Sequence, residues 1–373
     1  FFCPSVPLFL SMFRLFRRNF GGLVGRGARY DRHGAVKDVL RLEEFQVPPL
    51  GASSATKTPI LVKMLASPIN PSDLNMIEGI YGVKPTLPAW GGNEGVGQVL
   101  DISPGDSCGL QVGDWVIPHL TGEGTFGSWR THVVCTAQQL LKVSNEIPAS
   151  TAATLMVNPF SAFLLLNSFV RLEPGDTLIQ NGANSSVGEL IIQLAKANGI
   201  NTINVIRDRE HDTLELERER LAALGAGLVV TDTELSKKGS SILQGLELPK
   251  LGINCIGGKS GADMAACLAD HATMVVYGGM SRRPLMIGTS SLVFHNLTVR
   301  GFWLSTWLQQ QQQPLSKPHS NDPFSVPNVL ETLTSLYAQG ALKTRATLFA
   351  LSDLSGALQH TQDKAIIDFS LST

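Results

Sequence analysis

Asp176-Thr-Leu-Ile-Gln-Asn-Gly-Ala-Asn-Ser-Ser-Val-Gly-Glu-Leu-Ile-Ile-Gln-Leu-Ala-Lys-Ala-Asn198 decides how the chain is read. Thr177 to Gln180 is a short β-prone run, and Asn181 to Ser186 is a small, polar turn carrying Gly182. Val187, Leu190, Ile191, Leu194 and Ala195 then recur at helical spacing, and Gly199 stands where a helix C-cap belongs. Strand, tight turn and helix open a dinucleotide-binding unit, because backbone N–H groups at a helix N-terminus hold a pyrophosphate. Only Gly182 and Gly188 mark the turn, and Ser186 stands where close backbone approach favours Gly, so the whole βαβ pattern carries the reading. A second strand, Thr202 to Ile206, ends in Arg207-Asp208-Arg209, with Asp208 twenty residues after Gly188. Such folds place the ribose-reading residue there. A lone carboxylate favours a free 2′-hydroxyl, whereas two flanking guanidiniums suit a 2′-phosphate, so the expected cofactor is NADPH rather than NADH. The bland alternative is that both arginines are a solvated strand end.

Working outward, strand and helix patterns alternate toward the C-terminus. Leu216 to Leu224 reads as helix, Gly227 to Thr231 and Ile253 to Ile256 as strands, and Ala262 to Ala269 as helix. Met274 to Tyr277 and Leu297 to Trp303 complete the rhythm of a doubly wound parallel sheet. Before it, Ile60 to Ala66, Val96 to Ile102, Asp114 to Pro118 and Ser128 to Val134 are short strands between Pro- and Gly-rich turns. They imply a separate β-rich domain. Ala149 to Phe169 reads as a helical bridge interrupted by Pro159. Gln309 to Gln313 and the polar run to Pro323 form a low-complexity insertion. Val326 to Gly340 (helix), Arg345 to Leu351 and Lys364 to Phe369 (strands) return to the first domain. The expected division is 1–27 leader, 28–156 β-rich catalytic domain, 157–303 dinucleotide-binding domain, and 304–373 the return with its insertion at 309–323.

At 373 residues and 43% hydrophobic content the chain suffices for two cored domains. A net charge of −1 gives no bias toward nucleic acid or anionic membrane, and no run reaches the length of a membrane span. Phe1 to Tyr30 holds Arg14, Arg17, Arg18, Arg26 and Arg29 with no Lys and no acid. This Arg-rich, acid-free leader reads as a mitochondrial presequence. A secretory signal is the competitor, but the arginines follow the apolar run Phe1 to Met12 rather than precede it. Opening on Phe1 reads as a fragment or an over-extended translation, with Met12 the candidate start. Cys3, Cys108, Cys135, Cys255 and Cys267 include no C-x-x-C pair and the eight histidines no paired spacing, so no metal site and no disulfide framework is expected. No G-x-S-x-G elbow supports nucleophilic hydrolysis.

A β-rich domain, a dinucleotide domain and a short return resemble the medium-chain dehydrogenase/reductase superfamily, from about Ala28 onward. Gly91-Gly-Asn-Glu-Gly-Val-Gly97 is similar to the stretch in which zinc alcohol dehydrogenases carry a metal-binding His beside Glu. Asn93 takes that position here, and a neutral amide is a poor zinc ligand. The chain therefore resembles the zinc-free, quinone-reductase-like branch with its GroES-like catalytic domain. Within it the match is to mitochondrial trans-2-enoyl-thioester reductases. It is carried by Pro68 to Gly82, Asn158-Pro159, Gln180-Asn181, Thr202 to Arg209, Tyr277 to Met280 and Arg300 to Trp307.

The resemblance implies NADPH-dependent saturation of the 2,3-double bond of enoyl thioesters, on acyl carrier protein or coenzyme A, in mitochondrial fatty-acid synthesis. It also implies a matrix location and a homodimer. Tyr81 matches the family's catalytic tyrosine. Asn158, Asn184, Ser185, Ser186, Val187, Arg207, Asp208, Arg209, Tyr277, Gly278, Gly279, Met280, Phe302, Trp303, Leu304, Ser305 and Lys364 match its cofactor contacts, Lys364 across a short gap. The Gln-rich insertion after Trp307 departs from the family. Competing readings are an NADPH quinone or alkenal reductase and a non-enzymatic NADPH-binding protein of the same fold.

The chemistry suits these residues. Hydride added to the β-carbon of an enoyl thioester develops enolate charge on the thioester oxygen, which an aimed O–H donor stabilises. Tyr81 on its Gly-flanked loop is such a donor; its bland alternative is packing at a loop tip. Phe302, Trp303 and Trp307 are candidate walls for the acyl chain, or else fillers of an interdomain seam. Lys259, Arg282 and Arg283 are candidate contacts for phosphopantetheine or an acidic carrier.

Overall fold

The computed structural model describes residues 22–51, 58–105, 107–119, 126–311 and 322–371. Six parallel strands form one sheet in the order Leu228–Thr231, Asn201–Ile206, Thr177–Asn181, Leu251–Asn254, Thr273–Val276, Thr298–Gly301. Thr177–Asn181 is buried at every position, as a central parallel strand covered on both faces must be. The strand order reverses between it and Leu251–Asn254, which makes their carboxyl ends the topological switch point where such sheets take ligands.

The helix after the first turn runs Ser186–Ala197. Ser185 is its N-cap, with Oγ accepting from the Gly188 N–H at 3.2 Å. Leu190, Ile191, Leu194 and Ala195 are buried in one cluster with Phe160 and Leu164, each large side chain contributing about 1.5–3 kcal/mol. Gly188 is the contact at which helix and turn meet. A Cβ there would stand 2.5 Å from the Ala183 carbonyl oxygen. Ser186 is the first helical residue and does not have a positive φ, so its Cβ is accommodated without backbone strain.

A second sheet runs Ala346–Phe349, Lys364–Asp368, Pro59–Pro68, Val96–Ile102, Trp115–Pro118, Leu140–Val143, with His132–Thr136 paired to Pro59–Pro68. Its core holds Tyr30, Ile60, Met64, Ile77 and Trp129. A small third sheet joins Arg41–Gln46, Val24–Tyr30 and Ala89–Trp90.

Several expectations are revised. The expected leader lies outside the described residues up to position 21, Met12 included. Val24 to Gly27, however, stand in strand Val24–Tyr30, where Arg26 pairs with Glu44 at 2.9 Å and Arg29 with Glu43 at 2.8 Å. Those two arginines answer cross-strand acids rather than continue a leader. Pro159 does not interrupt a helix but opens one, Asn158–Asn167, where a missing N–H is harmless. Gln309 to Gln311 are not loop but the end of helix Leu304–Gln311. Leu304, Leu308, Val329, Leu330 and Leu333 pack with Phe160 in the core that the two domains share, and the strands that rejoin the second sheet begin only at Ala346. Helix Asp232–Ile242 has no counterpart in the sequence reading. No helix among the described residues is long and apolar enough to cross a membrane.

Candidate active site

Asn70-Pro-Ser-Asp73 starts the helix that sets the site. The Asn70 side chain caps it while the Asp73 carboxylate reaches back to the Asn70 N–H at 2.9 Å, and Pro71 pre-sets the first turn. The helix Pro71–Glu78 ends at Gly79 with φ 78°, the left-handed turn that glycine adopts freely. The chain then folds back, with the Tyr81 N–H donating to the Asn75 carbonyl at 3.2 Å. This places Tyr81 against Trp303 from the end of the parallel sheet. Their rings meet edge-on at 6.0 Å, and Trp303 Nε1 donates to the Tyr81 hydroxyl at 3.0 Å.

An indole N–H only donates, so the Tyr81 oxygen is the acceptor and its own hydrogen stays available. Burial pushes the Tyr81 hydroxyl above the ordinary phenol range, partly offset by the Trp303 bond and reinforced by the Asp73 charge. Tyr81 is therefore a protonated donor throughout the neutral range.

Tyr81 opens on a cavity of about 690 Å³ shared by both domains. Asn184, Ser185, Ser186 and Val187 line it at the dinucleotide turn. Tyr277, Gly278, Gly279 and Met280 line it after the fifth strand of the parallel sheet, and Phe302, Trp303, Leu304 and Ser305 after the sixth; Asn158 and Lys364 complete the expected set. Arg207, Asp208 and Arg209 lie outside that lining, exposed at the end of Asn201–Ile206. Asp208 accepts from the Thr233 hydroxyl at 2.9 Å and its N–H at 3.3 Å. Burial works against the Asp208 carboxylate, but its bonds from Thr231 and Thr233 prevail and hold it below the usual range. Asp208 thus braces the neighbouring strand end while the arginines stay exposed. Burial works against the Glu217 carboxylate, but its bonds from Arg220 and Asn184 and the charges of Arg220 and Arg209 hold it below the usual range.

Trp307 does not line the cavity. It packs edge-on against Phe160 at 5.7 Å, as part of the interdomain core. Lys259 is exposed and pairs with Asp263 at 2.6 Å and with Ser236. Arg282 and Arg283 remain exposed.

The sequence reading missed the buried polar cluster behind Lys364. Glu94 accepts from Asn70 Nδ2 at 2.9 Å and from the Val157 N–H at 2.7 Å. The Lys364 ammonium donates to Asn70 Oδ1 at 2.7 Å. Asn93 Nδ2 donates to the other Asp73 oxygen at 2.7 Å. Burial pushes the Asp73 carboxyl up to about 6 and that of Glu94 up to about 7, against these bonds and the Lys364 charge. Burial likewise draws the Lys364 ammonium down, with Glu94 and Asp73 resisting. The visible signal was Glu94 among four glycines, but its partners are remote in sequence.

The N–H groups of Gly188 and Glu189 are taken by the Ser185 hydroxyl and carbonyl. Those of Ser186 and Val187, at the cavity, have no partner among the described residues, an arrangement that fits a dinucleotide phosphate.

Residues 56–145 match the alcohol dehydrogenase GroES-like domain, and residues 186–317 match the zinc-binding dehydrogenase domain. The mitochondrial enoyl-acyl-carrier-protein reductase of Xenopus tropicalis is 41% identical over 351 residues, covering 94% of this chain and 95% of that protein. The chain belongs to the mitochondrial enoyl-acyl-carrier-protein reductases. Among solved structures, the Etr1p complex with NADP and crotonyl-CoA is similar to this reductase-family chain with a TM-score of 0.80. It is 32% identical over 93% of this chain and all of that one. The mitochondrial 2-enoyl thioester reductase Etr1p/Etr2p heterodimer from Candida tropicalis gives 0.81 at the same identity and coverage. The zinc in the domain family's name does not fit this family member. Asn93 offers an amide N–H to Asp73, and no group of three or more His, Cys, Asp or Glu among the described residues could hold a metal ion.

Proposed function

We infer that the protein is an NADPH-dependent reductase of trans-2-enoyl thioesters, carried on acyl carrier protein or coenzyme A, acting in mitochondrial fatty-acid synthesis. The observation that carries it is Tyr81, with its hydroxyl hydrogen free, on the cavity that the dinucleotide turn also lines.

The residues that would hold NADPH are Asn184 to Val187 at the pyrophosphate and Arg207 and Arg209 at the 2′-phosphate. Tyr277 to Met280, Phe302 to Ser305, Asn158 and Lys364 would hold the remainder. When bound, NADPH supplies the hydride that reaches the β-carbon of the substrate. Tyr81 donates to the thioester oxygen as negative charge gathers there, and its hydroxyl supplies or relays the proton for the α-carbon. Trp303, by donating to the Tyr81 oxygen, makes that hydroxyl a better donor and fixes its direction. Phe302, Trp303 and the apolar Ile69 and Leu74 exclude water along the cavity.

The protein also forms a homodimer in this reading. Thr298–Gly301 is the edge of the parallel sheet and is exposed at every position, and Phe294 and Val293 beside it are exposed too. An unpaired edge flanked by apolar side chains is suited to pairing with a second copy.

The test is NADPH oxidation followed by absorbance with a medium-chain trans-2-enoyl-CoA, with a quinone, and with neither. Thioester-dependent consumption supports the reading; quinone-only consumption, or bound but unconsumed cofactor, overturns it.

A further inference from the structure

Glu94 is 1% exposed, yet no step above uses it. A carboxylate withdrawn from water this completely is costly unless donors surround it, and an apolar side chain of like size would serve packing better. Its two oxygens join three segments far apart in sequence. One accepts from the Val157 N–H, at the N-terminus of the helix that opens with cavity-lining Asn158; the other accepts from Asn70, which in turn accepts from Lys364.

We propose that Glu94 is a positioning residue for the reduction, acting through the Asn70 amide to aim the Lys364 ammonium into the cavity. The proposal rests on the reductase reading and deepens it. Its logic is one of donors and acceptors. Both Glu94 oxygens accept, one from the Val157 N–H and the other from Asn70 Nδ2, so Asn70 turns its Nδ2 toward Glu94 and leaves Oδ1 for Lys364. Asn70 is 2% exposed and its own N–H is held by Asp73, so bulk water is not at hand to substitute for either partner.

Glu94 therefore sets which face of Asn70 the lysine meets. Of the other ionisable groups, Asp73 faces Glu94 and adds to the rise that burial, the larger cause, gives the Glu94 carboxyl; Tyr337 also faces Glu94, and Tyr30 and Tyr81 face Asp73. Asp73 cannot replace the carboxylate, because it is already committed to Asn70 N–H and Asn93.

Glu94→Gln preserves shape but puts an amide donor into the cluster. If that donor faces Asn70, the Asn70 amide must flip and present its own N–H to the Lys364 ammonium; if it faces the Val157 N–H, that bond is lost. Adding Asn70→Asp to Glu94→Gln restores an acceptor able to take both the new amide and Lys364.

The experiment measures the NADPH dissociation constant by fluorescence, kcat and KM for a trans-2-enoyl-CoA, and the thermal midpoint. It uses wild type, Glu94→Gln, Glu94→Gln/Asn70→Asp, Lys364→Met and Glu94→Gln/Lys364→Met. Glu94→Gln should weaken NADPH about ten-fold and lower kcat/KM by about ten- to a hundred-fold, the size of one lost charge-assisted bond or two. Asn70→Asp should recover most of both, and Glu94→Gln should add less than about two-fold on the Lys364→Met background.

Near-wild-type binding and turnover in Glu94→Gln would overturn the proposal. So would full additivity with Lys364→Met, or a loss in Glu94→Gln that follows the thermal midpoint and is not rescued by Asn70→Asp. Absence of thioester-dependent turnover in the wild type sinks the reductase reading instead, while the NADPH-binding cycle still tests Glu94.

Discussion

Trp303 Nε1 and the Tyr81 hydroxyl meet at 3.0 Å across 222 residues of chain, one from the parallel sheet's last strand end and one from the loop after the Asn70-capped helix. The bond ties the expected proton donor to the cofactor side of the cavity. Tyr81→Phe removes the donor and should cut turnover by roughly ten- to a thousand-fold, with NADPH affinity nearly unchanged. Near-normal turnover would take Tyr81 out of the mechanism. Trp303→Phe keeps the apolar wall but leaves the Tyr81 oxygen without its donor, and should cost about three- to ten-fold in kcat.

Because burial lifts the Tyr81 hydroxyl above the ordinary phenol range, it should remain protonated through neutral and mildly alkaline pH. The kcat profile should show no loss of a required acid below about pH 10, the unperturbed phenol value. A descending limb centred near neutrality that Tyr81→Phe abolishes would contradict this.

Asp73 and Glu94 carry carboxyls raised by burial to about 6 and about 7, above the ordinary 3.8 and 4.5 they have in the unfolded chain. The folded state thus binds their protons more tightly. Their contribution to stability is complete below those unfolded values and is lost as pH rises through about 6 to 7. Glu94→Gln should therefore lose less thermal stability than wild type between pH 5 and 7.5 (roughly the window of these shifts). Parallel curves would show that Glu94 does not titrate there.

Gly188→Ala tests the turn. The added methyl would lie 2.5 Å from the Ala183 oxygen and 2.7 Å from its carbonyl carbon and Cα, backbone atoms that cannot swing aside as a side chain can. Overpacking of this kind costs about 1–3 kcal/mol, and should lower the denaturation midpoint together with NADPH affinity. A stable protein with unchanged affinity would mean that the turn relaxes freely.

Arg207→Ala with Arg209→Ala should raise the NADPH dissociation constant by about ten- to a hundred-fold and leave that for NADH nearly unchanged. Equal weakening of both cofactors would place the arginines elsewhere than at the 2′-phosphate.

The dinucleotide half was legible because its information is local. Thr177 to Ala195 shows a β-prone run, a polar turn with glycines and apolar helical spacing within one short window, and the structure follows it closely. Helix Asp232–Ile242 escaped because Asp-Thr-Glu-Leu-Ser-Lys-Lys-Gly-Ser-Ser offers almost no apolar stripe, although the Thr231–Glu234 capping box was present to be read. Val24–Tyr30 escaped because its arginines fit a leader as well as a strand until Glu43 and Glu44 are seen opposite. The Glu94–Asn70–Lys364 cluster was beyond reach for a different reason. Lys364 meets Asn70 across 294 residues, and no periodicity encodes such a meeting.

Strand Lys364–Asp368 lies between Ala346–Phe349 and Pro59–Pro68, and Ile366 and Ile367 are almost fully buried there. Translation delivers that strand after Pro59–Pro68 and after all six strands of the parallel sheet. The six parallel strands, contiguous from Thr177 to Gly301, can assemble while the ribosome is still at work. The half bearing Tyr81 must wait with Pro59–Pro68 missing one neighbour until Lys364–Asp368 emerges. Catalytic competence therefore follows the nucleotide-binding sheet in the life of the nascent chain, and a chain cut shortly before Lys364 would hold every strand of its nucleotide-binding sheet but not of its catalytic one.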